Sequence, residues 1–273
     1  VLCLVVGVST PGPFGIAVGI AGLLAVPVAL SVQRPELEEG PEATFAEVSS
    51  ALGLLLCASI CAFAIMNIGP VLVGLLADSS QEDAAGRFVN GVVIARIPLY
   101  LFQAVQASLL PKLSALAHAG HLGDFRSGLR RLLLTVAGLA ALGTAGGALV
   151  GPFVVEIMFP GADLGTRTMG LLAAGAGLYM LALACAQAVI ALGGHADQAL
   201  GWFLGLASLL VTVAVASDDL FLRVEIALLV GSAVAFVAMA GLLLRRLAGA
   251  GAGPLHVDEG DLIEAMHEVP LEP

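Results

Sequence analysis

The stretch Phe88-Val-Asn-Gly-Val-Val-Ile-Ala-Arg96-Ile-Pro98-Leu-Tyr100-Leu-Phe-Gln103-Ala-Val-Gln106-Ala-Ser-Leu-Leu110 decides how the rest of the chain is read. It is apolar for long enough to cross a hydrocarbon core of about 30 Å, yet it holds an arginine in its interior. Working outward, six more stretches reach that length, at 13–32, 52–77, 132–155, 169–194, 199–217 and 226–244, and none of them carries a charge. The sequence therefore predicts an all-α, polytopic transmembrane bundle of seven complete spans. Residues 1–9 are apolar but too short to cross. They lack the basic n-region and the small-residue cleavage site of a signal peptide, and suggest the end of a partial helix. On that basis the chain is expected to be the C-terminal part of a longer protein.

Composition points the same way. Hydrophobic residues make up 59% and charged residues 12%, and the mean hydropathy of +1.02 lies outside the range of soluble domains. The 34 glycines would weaken helices in water, but in a bilayer they let backbones approach closely. The pairs Gly15/Gly19, Gly147/Gly151 and Gly201/Gly205 have the spacing of such contacts and read as packing positions. Cys3, Cys57, Cys61 and Cys185 all lie in apolar stretches and read as small buried side chains rather than metal ligands.

Orientation follows from the basic residues. Counting loops from the first span, Arg34, Lys112, Arg126, Arg130, Arg131, Arg245 and Arg246 fall on one side. Arg87, Arg167 and Arg223 fall on the other. Seven against three assigns the first side to the cytoplasm. The net charge of −10 is concentrated in the Pro/Glu-rich linker 34–44 and in the tail 248–273, which reads as a disordered acidic cytoplasmic extension. Between 112 and 131, leucines and Phe125 alternate with Lys, His and Arg. This is the pattern of an amphipathic segment on the inner membrane face, or of a solvated connector with snorkelling arginines.

Arg96 is the first candidate for function. It lies nine residues after Arg87, about 13 Å along a helix and close to the midplane, where an unpartnered charge costs several kcal/mol. Tyr100 and Gln103 follow on the same helix face, and Pro98 frees the carbonyl of Ile94. Asn67, three residues before Pro70, and Gln187 are the lone polar candidates of their spans, with interhelical hydrogen bonding as the alternative role. No Asp or Glu is expected deep in any span. The counter-ion of Arg96 must then come from a substrate, from water or from elsewhere in the protein; alternatively, Arg96 is structural and bonds helix carbonyls. Glu156 is either an outer-gate residue or a helix-end charge. His118 and His121 lack a third ligand nearby, and no HExxH, GxxxxGK[ST] or GxSxG frame occurs.

The segment Gly86–Ser114, ending in Leu110-Pro111-Lys112-Leu113-Ser114, is followed by a basic amphipathic stretch and another span. With the loop Gly151-Pro-Phe-Val-Val-Glu-Ile-Met-Phe-Pro-Gly161, it resembles polysaccharide flippases of the multidrug/oligosaccharidyl-lipid/polysaccharide exporter superfamily. The resemblance covers about 45–247 and implies two pseudosymmetric lobes. Residues 1–33 would be the last helix pair of a truncated N-terminal lobe, and 45–247 a six-helix C-terminal lobe. It further implies a flippase of the bacterial cytoplasmic membrane, not an enzyme and without a cofactor, moving a lipid-linked oligosaccharide by alternating access. Its partners would be the bilayer, the diphosphate-linked glycan and the missing lobe, and no nucleic acid. Arg96, Tyr100, Gln103, Asn67 and Gln187 would face the substrate. A drug/cation antiporter of the same fold would instead show an intramembrane acid. A membrane-embedded glycosyl- or acyltransferase would need acid and histidine clusters in larger loops.

Overall fold

In a computed structural model, residues 45–103 and 122–252 are described, with isolated helical positions at 20, 24, 27, 31, 115 and 116. The chain divides into two compact units, Val1–Phe45 and Ala46–Pro273, and everything below concerns the second. Apart from those isolated positions, the expected first span 13–32, the partial helix 1–9, the linker 34–44, the histidines at 118 and 121 and the tail beyond 252 lie outside the described residues.

The described residues are helical and contain no strand. In chain order the helices are α1 (Phe45–Leu76), α2 (Glu82–Ala95, resumed over 97–103), α3 (Leu122–Leu149), α4 (Gly151–Met158), α5 (Thr166–Ala191), α6 (His195–Val215) and α7 (Leu220–Ala252). Six helices are long and apolar enough to cross a membrane: Leu52–Leu76, Glu82–Gln103, Leu122–Leu149, Thr166–Ala191, His195–Val215 and Leu220–Gly249. The protein is a multi-pass membrane protein, and the six expected spans after the first each coincide with one of these helices. Its outward faces confirm the solvent it is built for: Phe63, Leu75, Leu142, Leu149 and Phe153 all stand exposed, tolerable in lipid and costly in water.

Three boundaries differ from expectation. Of the amphipathic stretch 112–131, residues 112–114 and 117–121 lie outside the described residues; 122–131 is the opening of α3, where Phe125 and Leu129 are buried and Leu122 is half-buried. The span expected at 132–155 ends at Leu149. Pro152 has no N–H to donate and fits the first turn of a new helix, so α4 begins at Gly151. α7 starts at Leu220, six residues before the expected 226. It also continues through the glycine-rich 249–252, the start of the tail that the sequence assigns to a disordered extension.

α5 is the hub. It packs against α3 and α7, and α7 in turn packs on α6. Small residues make these approaches possible. A methyl group at Gly147 would lie 2.5 Å from the Cβ of Ala173, and one at Gly151 2.9 Å from the Cε of Met169. One at Gly201 would lie 2.6 Å from the Cε of Met239, and one at Gly205 2.7 Å from the Cβ of Ala235 and 2.9 Å from the carbonyl of Gly231. Gly147/Gly151 and Gly201/Gly205 are thus packing positions, the first pair against α5 and the second against α7. The α5–α6 turn closes tightly. Gly193, at φ +72°, follows the last turn of α5; its N–H donates to Ile190 and that of Gly194 to Val189, each at 2.8 Å.

Side-chain ties fix which helix ends share a side. Arg126 of α3 donates to the Leu247 carbonyl at 2.6 Å. Arg246 pairs with Asp197 at 2.5 Å and donates to the Leu192 carbonyl at 3.1 Å. One end of the bundle therefore holds the start of α3, the α5–α6 turn and the end of α7. At the other end Phe88 and Phe221 stack at 5.9 Å, and Arg167 approaches Asp219 and Glu225, each at 3.9 Å. The described basic residues divide between these ends as the loop count requires.

Candidate functional site

α2 breaks at Arg96, two residues before the proline. Pro98 lacks an N–H and its ring crowds the Ile94 carbonyl, so the Arg96 N–H settles for Val93 at 3.3 Å. The helix resumes with Tyr100 N–H donating to the Arg96 carbonyl at 3.1 Å. Gly143 of α3 faces the proline ring, where a methyl group would stand 3.2 Å from its Cγ. A bulkier residue there would press on the kink.

The break leaves Arg96 half-buried on the wall of a small interior cavity of about 30 Å³. Four helices build it: Ile65 and Met66 of α1, Leu99 beyond the kink, Gly175 and Tyr179 of α5, and Leu228 and Ser232 of α7. That volume takes one or two waters and not a diphosphate. The Tyr100 hydroxyl and the Tyr179 phenol both lie near enough to the guanidinium to act on its charge. The chain has only two tyrosines, and both attend this arginine. Tyr179 is itself held in place. Its hydroxyl donates to the Ala62 carbonyl at 3.0 Å, tying α5 to α1, and its ring stacks on Trp202 at 5.3 Å. No carboxylate pairs with Arg96 among the described residues.

The other candidates lie apart from this cavity. Tyr100 and Gln103 are exposed, so only the hydroxyl of Tyr100 reaches the arginine. Asn67 is half-buried, and its amide donates to the Phe63 carbonyl of its own helix at 2.9 Å. Gln187 is half-buried on α5, two turns beyond Tyr179, and does not line the cavity. Glu156 accepts the N–H groups of Gly161 at 3.0 Å and Asp163 at 3.3 Å, which hold its carboxyl below the usual carboxylate range. It pins the loop after α4, where Asp163 is strained at φ +32°. Of the cysteines, Cys61 and Cys185 are buried and Cys57 is exposed. No cluster of three potential metal ligands occurs among the described residues.

Two members of the cavity, Tyr179 and Ser232, were not foreseen. They come from helices far away in sequence, and a tyrosine in the run Leu-Tyr-Met-Leu gives no sign of its partner. Because α7 begins early, Glu225, one residue outside the expected span 226–244, falls in the second turn of a membrane-length helix and is fully buried among its neighbours. Thr168 lies beside it, but neither carboxylate oxygen is met with hydrogen-bond geometry, and the nearest cation is Arg167 at 3.9 Å.

Comparison of the chain with protein-family models, with curated proteins and with solved structures finds no match in any of the three.

Proposed function

We propose that this protein is part of a transporter of the bacterial cytoplasmic membrane that flips a lipid-linked oligosaccharide by alternating access, acting without a cofactor and not as an enzyme. The observation that carries the proposal is Arg96. A guanidinium is held at the break of a membrane helix, pointing to the junction of four helices, with two phenols and no carboxylate as partners. A planar fork of N–H donors matches the oxygens of a diphosphate, the charged part of such a substrate. In the present arrangement the cavity has room for one or two waters only. Substrate therefore enters in a different arrangement, one that opens α2 or α1 away from α5 and α7. The sequence resemblance to polysaccharide flippases supports the same substrate class. The end bearing Arg126, Arg130, Arg131, Arg245 and Arg246 is assigned to the cytoplasm by its basic excess.

The test is export in cells. Arg96→Ala should abolish export of the glycan while the protein accumulates normally in the membrane, and Arg96→Lys should restore part of it, since the charge survives and the fork does not. Normal export by Arg96→Ala, or loss of the protein itself, would leave Arg96 a structural residue.

Glu225 favours one second function, a drug/cation antiporter of the same fold, because such a machine needs a buried acid to carry a cation. Export of cationic dyes that is lost in Glu225→Gln and kept in Arg96→Ala would select it.

A further inference from the structure

A second concavity lies on the membrane-facing side, away from Arg96. It is a groove of about 470 Å³ between α3, α5 and α7. Its inner walls are Leu133 and Ala137 of α3, Leu181 and Cys185 of α5, and Phe236 and Ala240 of α7. Two arginines, Arg126 and Arg130, stand at one end of it, and both are exposed. From Arg126 to Ala137, and from Leu247 back to Phe236, each wall runs over eleven residue steps. At 1.5 Å per residue the groove is about 17 Å deep, close to half of a ~30 Å hydrocarbon core.

We infer that this groove is a binding site for an acidic phospholipid of the leaflet on the arginine side, one acyl chain lying between α3, α5 and α7 and the phosphate resting on Arg126 and Arg130. The depth admits one chain of one leaflet and ends where the other leaflet begins. The charge sits only at the mouth, at headgroup level, while the remainder of the lining is apolar. Arg126 is anchored there by its bond to the Leu247 carbonyl, which uses one of its five N–H donors and leaves the rest for a phosphate. Arg130, one turn deeper, forms no ion pair among the described residues. A zwitterionic lipid would bring its own cation to the same place and weaken the contact. The bound lipid would bridge the start of α3 to the end of α7, the same two elements that Arg126 already ties. This site does not depend on the transport proposed above.

The experiment is native mass spectrometry of the purified protein, offered phosphatidylglycerol and phosphatidylcholine of identical chains in equal amounts. One phosphatidylglycerol should be retained in preference. Arg130→Gln, which leaves the Arg126–Leu247 bond intact, should weaken that preference several-fold. Adding Arg126→Gln should bring the loss to roughly thirtyfold, following about 1 kcal/mol per arginine at a membrane surface. Arg131→Gln removes the same charge outside this groove and should change nothing. Ala240→Phe fills the groove and should remove both lipids. An equal loss in Arg131→Gln would mean diffuse attraction and overturn the site, as would retention of phosphatidylglycerol by Ala240→Phe. Displacement of phosphatidylglycerol by an equal amount of polyprenyl diphosphate would assign the groove to a different ligand and overturn it as well.

Discussion

The α6–α7 seam and the Arg96 kink lie in the same bundle and are built on opposite principles. At the seam Gly205 and Gly231 bring two backbones together until a methyl group has no room, and Gly201 receives the end of the Met239 side chain. At the kink a proline breaks the backbone ladder, a charge occupies the gap, and space for water remains beside it. In lipid there is no hydrophobic drive between helices, so close packing of small residues has to supply the cohesion. A buried guanidinium opposes that cohesion and persists only where phenols and a cavity accommodate it. The seam is where the helices approach most closely, and the kink is where space remains between them.

The largest expected effect breaks the seam. Gly205→Leu would drive a side chain into Ala235 and the Gly231 carbonyl, and should lower stability by about 1–3 kcal/mol or prevent folding altogether. Gly241→Ala, on the partner helix α7 with nothing within 4 Å of the added methyl, should be neutral in the same thermal unfolding assay in detergent. If both variants behave alike, the seam is not where the bundle is held.

A second prediction sharpens the kink. Tyr179→Phe removes the hydroxyl that ties α5 to the Ala62 carbonyl, which keeps its own helix bond, and removes a phenol beside Arg96; it should cost about 0.5–1.5 kcal/mol in that assay. Gln187→Leu, on the same helix but away from the cavity, should cost less than half as much. The order of the two variants is the outcome to examine.

Much of this contrast was legible in the sequence, and the missing parts share a cause. The six spans announce themselves by length and apolarity, the kink by Pro98, and the seam by the four-residue glycine spacing. Tyr179, Ser232 and Glu225 do not, because burial and partnership across helices depend on neighbours that no local pattern names. Glu225 looks interfacial between Arg223 and Ile226. It is buried only because α7 starts early and α5 covers it. Tyr100 and Gln103 share a face with Arg96 by spacing, but both are exposed and neither lines the cavity.

Smaller effects lie at the bundle ends. Arg246→Lys keeps the charge opposite Asp197 but loses the fork that also reaches the Leu192 carbonyl, and should cost about 0.5–1 kcal/mol. Arg245→Lys should cost nothing measurable. The smallest effect concerns Glu156. Its carboxyl is depressed in the folded state by two backbone N–H donors, so its contribution is present above the ordinary carboxylate range. That contribution is lost as pH falls through the folded value. Glu156→Gln should therefore shift the unfolding temperature slightly at neutral pH and not at all in acid. A shift that grows in acid would reverse the sign and contradict the assignment.

The central claim, that Arg96 receives the diphosphate of a lipid-linked glycan, is tested most directly by binding of a polyprenyl-diphosphate sugar to the purified protein and its Arg96 variants. Arg96→Ala should lose on the order of tenfold in affinity, the weight of one charge-assisted hydrogen bond, and Arg96→Lys should recover part of it with unfolding temperatures unchanged. Equal affinity in the wild type and Arg96→Ala would contradict it.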